Sequence, residues 1–108
     1  MKGYETLGPG NASSFTPPIS NYVNSYLLAA ATAETVTWPT GATHCNIVGV
    51  SGVDYYVSTG TATVPAADAT DGTASARNSA QRQRSEGEDG FSIISAEETV
   101  ITIEFWGN

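Results

Sequence analysis

The ionisable residues of this chain are bunched, and the bunches define which chemistries are worth testing. Arg77, Arg82 and Arg84, three of the four basic residues, are followed at once by Glu86, Glu88 and Asp89. Two readings stand side by side. One is a solvated run that compensates its own charge. The other is pairing between subunits, with the planar guanidinium forks of one copy meeting carboxylates of its neighbour in a ring. Contact with a phosphate backbone is disfavoured, because the whole chain carries a net charge of -7 and long-range repulsion opposes the approach.

His44 stands beside Cys45, the pair needed for a thiolate nucleophile and its base. Neighbours in a strand point to opposite faces, so these two cannot share a proton; Cys45 reads as a small core hydrophobe and His44 as a surface or interface residue. With one His and one Cys in the chain, a zinc set would have to be shared between subunits. Asp68, Asp71-Gly72 and the Glu86-Gly-Glu88-Asp89-Gly90 run put oxygen donors beside glycine, but at spacings foreign to calcium loops. Asp71-Gly72 reads as a tight bend instead. Paired carboxylates for glycoside hydrolysis need a cleft lined by sugar-stacking rings, and only Trp38, Trp106 and the tyrosines are on offer. Asn11-Ala12-Ser13 is a glycosylation sequon without a secretory leader to expose it. The expectation is a chain without catalytic residues, metal or cofactor.

These residues must be carried by short strands. Glu34-Thr-Val-Thr-Trp38 alternates and stops at Pro39; His44–Val50, Ser51-Gly52 and Val53–Ser58 have the form of a hairpin; Thr61–Val64 resumes before Pro65. In Val53–Ser58 the alternation puts Tyr55 and Val57 on one face and Tyr56 on the other, so Tyr56 is expected to look outward. Phe91–Ser95 and Glu98–Trp106 close the chain, with Ile101, Ile103 and Phe105 on the core face and Val100, Thr102, Glu104 and Trp106 on the other. Between them, residues 65–90 read as a long polar loop. With no helical stripe, this predicts an all-β fold, a compact antiparallel β-sandwich or barrel of about six to seven short strands.

The 108 residues suffice for one domain, spanning 26–108 and preceded by an extended N-terminal arm at 1–25. The arm contains three of the five prolines but also a scatter of apolar side chains. Leu7, Phe15, Pro17, Pro18, Ile19 and Tyr22 are candidates to dock on a partner, against the alternative of a solvated, disordered terminus. No apolar run approaches the roughly 18–20 residues of a membrane-spanning helix, and no leader pattern begins the chain, so it is expected to stay in the cytoplasm of the cell that makes it. A core of this size gains from oligomer contacts.

Three passages carry a resemblance: Trp38-Pro-Thr-Gly41; Tyr55-Tyr-Val-Ser-Thr-Gly-Thr-Ala-Thr-Val-Pro65 leading to Asp68 and Asp71-Gly72-Thr; and Ile94-Ser-Ala-Glu-Glu-Thr-Val-Ile-Thr-Ile-Glu-Phe-Trp106. Together they resemble small β-rich structural proteins of tailed bacteriophages, of the head decoration or cement kind. The resemblance implies a virion protein on the capsid surface, binding the major capsid protein and linking capsomers as a homo-oligomer, with a trimer favoured and no catalytic residue. It departs after Asn78, where the Arg-rich insert stands. Arg77, Arg82, Arg84, Glu86, Glu88, Tyr56 and Trp106 are the expected subunit-interface residues. Alternatives are a head-to-tail or tail-associated component, and a carbohydrate- or receptor-binding module using Tyr56 and Trp106 as its platform.

Overall fold

The computed structural model describes residues 18–107; Leu7, Phe15 and Pro17 lie outside the described residues. The order is β1 (Tyr22–Leu28), β2 (Glu34–Thr37), β3 (Ala42–Val48), β4 (Tyr55–Ser58), β5 (Ala76–Arg77), β6 (Gln81–Gln83), β7 (Gly90–Ser95) and β8 (Thr99–Gly107). They form two antiparallel four-stranded sheets, β1-β8-β3-β6 and β2-β7-β4-β5. Between them lies a core of Leu28, Val36, Trp38, Cys45, Ile47, Tyr55, Val57, Phe91, Ile93, Ile101, Ile103 and Phe105. The all-β expectation holds, and the period of two explains it: one face of each strand is apolar, and two such faces hide each other from water.

Three local expectations change. First, β3 and β4 are not a hairpin. The turn closed by Val53 N–H on Val50 C=O at 3.1 Å, with Gly52 at φ 85°, carries the chain from one sheet to the other. Tyr55 sets this arch: its hydroxyl crosses the core to within 3.2 Å of Ile47 C=O and 3.1 Å of Ser79 C=O. A tight turn between two apolar runs has the same residue pattern whether the runs pair or face each other across a core.

Second, the polar stretch 65–90 contains two short strands, β5 on β4 and β6 on β3. Asn78 makes the crossing between sheets. Its left-handed backbone, φ 51°, turns the chain, while its Oδ1 accepts from Tyr55 N–H at 3.0 Å and its Nδ2 donates to Asp54 at 2.9 Å. Asparagine tolerates that region because its short amide bonds locally. Third, Thr61–Val64 joins no ladder. Ala62 N–H donates to Ser92 Oγ at 2.9 Å and Thr63 N–H to Ser75 Oγ at 3.1 Å, so this segment lies over the outer face of the second sheet. The Asp71-Gly72 bend is present, with Gly72 at φ 84° and Asp71 Oδ1 accepting from Thr73 N–H at 3.2 Å and Thr73 Oγ1 at 2.6 Å.

Candidate functional site

The charged cluster resolves into a buried knot and an exposed remainder. Arg82 on β6 donates through Nη2 to both carboxylate oxygens of Glu88, at 3.1 and 2.9 Å, and its guanidinium lies over the Phe91 ring at 4.5 Å. Glu88 Oε2 also accepts from the Trp38 indole at 2.6 Å, and Arg84 Nε donates to the Glu88 carbonyl at 2.7 Å. The Arg82 and Glu88 side chains are only 19% and 9% exposed. Burial pushes the Glu88 carboxyl upward, but the Trp38 N–H, the Arg82 charge and the Ser85 bonds outweigh it and hold the group below the usual carboxylate range. Arg82 and Glu88 therefore find their partners inside one chain. Glu86 is exposed, and Arg77 is exposed 4.0 Å from Asp54 and 6.0 Å from the Tyr56 ring.

Tyr56 does point away from the main core, as the alternation requires, but it is buried. With Ile94 and Ala62 it forms a second small cluster beneath the segment that follows β4. Trp106 is buried as well: its indole donates to Pro18 C=O at 2.8 Å, and Ser20 Oγ donates to Phe105 C=O at 2.6 Å beside it. Neither ring is an open platform for a sugar. Chain covering the sheet from outside is a non-local fact that strand alternation does not contain. Trp106 instead pins Pro18 to the end of β8, while Ile19 is 86% exposed and Tyr22 sets its ring edge-on to Phe105 at 5.9 Å.

Cys45 faces the core, where burial drives its thiol up to about 12; the nearby Arg82 charge lowers it and Glu88 raises it. His44 lies on the other face, its Nδ1 2.8 Å from Thr43 Oγ1. The depression beside them, lined by His44, Cys45, Gln81, Arg82 and Gln83, holds about 180 Å³, less than the roughly 300 Å³ at which small-molecule pockets begin. Among the described residues no three His, Cys, Asp or Glu side chains stand close enough to hold a metal, and no helix is long and apolar enough to cross a membrane.

The surface that the sequence reading missed is the outer face of the first sheet. β1 is outermost, and its register on β8 sets Val23 beside Glu104, Ser25 beside Thr102 and Leu27 beside Val100; Val48 of β3 flanks Thr102 on the other side. Val23, Leu27, Val48 and Val100 are all exposed, Leu27 to 66%. Glu104 at the margin accepts from Asn46 Nδ2 at 3.0 Å. Exposed apolar side chains thus occur on three neighbouring strands of this face, with Leu27 and Val100 directly paired and Ser25 and Thr102 set among them. Its signal was in the sequence: Tyr22–Leu28 carries apolar side chains on both alternating sets, more than a strand packed on one face needs.

No family model, curated protein or solved structure matches the chain.

Proposed function

We propose that the protein is a non-enzymatic virion component, a decoration or cement protein that docks on the outer shell of a tailed-phage head and links neighbouring capsomers. The reading is carried by the apolar outer face of the first sheet, where Val23, Leu27, Val48 and Val100 lie exposed around Ser25 and Thr102. Such a face suits a broad, repeated contact with a large surface better than capture of a small molecule, and a symmetric shell multiplies a weak contact by avidity. Trp106 holds Pro18 at the β8 end of this same sheet. The resemblance to phage head proteins supplies the partner, the major capsid protein.

The test is co-sedimentation of the purified chain with phage heads stripped of it, together with its copy number in intact particles. Binding that saturates at hundreds of copies and falls at least about tenfold in affinity for Val48→Glu and Val100→Lys is expected. Those positions are exposed, so the variants stay folded. Absence of binding to heads overturns the reading, and six or twelve copies per particle would make the chain a connector.

A further inference from the structure

We propose that β1 is a self-pairing edge: two copies of the chain join antiparallel along β1 about a two-fold axis at Ser25, turning two four-stranded sheets into one continuous sheet of eight strands. This goes beyond docking on a shell and stands without it.

A free sheet edge invites another strand, and proteins guard against that with charge, proline, bulges or brevity. The other outer strands are brief: β6 has three residues, β2 four and β5 two. β1 has seven, Tyr-Val-Asn-Ser-Tyr-Leu-Leu, with no charge and no proline, in unbroken register with β8. It is the long, unguarded edge among the described residues.

Which backbone groups it offers follows from the ladder. Ile47 N–H bonds Ala80 C=O at 2.7 Å on the β6 side. Alternation then turns Asn46 and Val48 toward β8, and their register partners Glu104 and Thr102 toward β3. Ile101, Ile103 and Phe105 are left to face β1, as the bond from Ser20 Oγ to Phe105 C=O also requires. Tyr22, Asn24 and Tyr26 pair with them, so the N–H and C=O groups of Val23, Ser25 and Leu27 point out of the sheet.

Those three residues are self-complementary. With the axis at Ser25, Val23 of one copy meets Leu27 of the second, Ser25 meets Ser25, and all three outward residues find backbone partners. On the outer face the Val23–Leu27 contacts extend the apolar patch from copy to copy. Charge permits this edge and few others: the chain carries -7, but β1 carries none, and in this register the two Glu104 carboxylates lie roughly 20 Å apart by strand spacings, beyond a Debye length of about 8–10 Å. A second copy is thus the occupant that the pattern fits.

Sedimentation equilibrium of the full chain across micromolar to millimolar concentration tests this. A reversible dimer is expected, since one strand edge is a small interface. Ser25→Pro removes an outward N–H without touching the β8 ladder, and Leu27→Glu or Val23→Lys removes the apolar cross-pair. Each should weaken the dimer about tenfold or more with unchanged circular dichroism. The double variant Val23→Lys/Leu27→Glu sets opposite charges across the axis and should recover most of the loss. A chain that stays monomeric at about 1 mM overturns the proposal. So does a dimer or trimer indifferent to Ser25→Pro, or a double variant no tighter than the single ones.

Discussion

Trp38 and Glu88 are separated by 50 residues in the chain and joined by an indole N–H bond of 2.6 Å to Oε2. Both oxygens of the same carboxylate accept from Arg82 Nη2, so a single acid ties the end of β2, strand β6 and the run into β7. A carboxylate that satisfies two donors of different elements in a dry setting acts as a cross-link between sheets, and its loss orphans both.

Glu88→Ala should cost about 3 kcal/mol of unfolding free energy by denaturant titration, because it leaves a mostly buried guanidinium unpaired. Glu88→Gln should cost less, since the amide oxygen still accepts from Trp38. The pH dependence has a definite sign. The folded Glu88 carboxyl lies below its ordinary value of 4.5, so its stabilisation is complete above about pH 4.5 and is lost as pH falls through the folded value. The acid limb of the stability curve should therefore be shallower in Glu88→Gln than in the parent.

Cys45 should resist alkylation in the native protein and react fully in denaturant, as followed by mass spectrometry. The buried thiol titrates near 12 against an ordinary 9.0, so an unfolded chain ionises it first. Stability associated with the neutral thiol is complete below about pH 9 and is lost as pH rises toward 12. Cys45→Ala should flatten that alkaline loss while costing about 1 kcal/mol at neutral pH for the small void it leaves.

Asn78→Ala should lower stability by about 1–2 kcal/mol, through the left-handed backbone and the lost bonds to Tyr55 and Asp54. Asn78→Gly relieves the backbone part and should cost less. A thermal melt of both variants separates the two contributions; equal costs would show that the amide bonds alone matter.

Gly90 lies opposite Thr37, where a Cβ would stand 2.5 Å from the Val36 carbonyl oxygen. Gly90→Ala must push β2 off β7 and should cost about 1–3 kcal/mol. Gly60→Ala, with nothing nearer than 3.9 Å, is the matched control and should stay within about 0.5 kcal/mol of the parent.

The alternation of apolar and polar residues by itself determined the all-β class, the inward faces of β2, β4 and β8 and the inward Cys45, and the Asp-Gly pair determined the bend at Asp71-Gly72. Each of these depends on neighbours within a few residues, where strand geometry and turn chemistry are local. Only the tertiary structure decided the rest: that β3 and β4 face each other across the core, that Arg82 pairs with Glu88 inside the chain, that Tyr56 and Trp106 are covered, and that β1 is an edge. Those outcomes turn on which distant segment lies over which face. Period-two patterning says that a face must be hidden from water without naming what hides it.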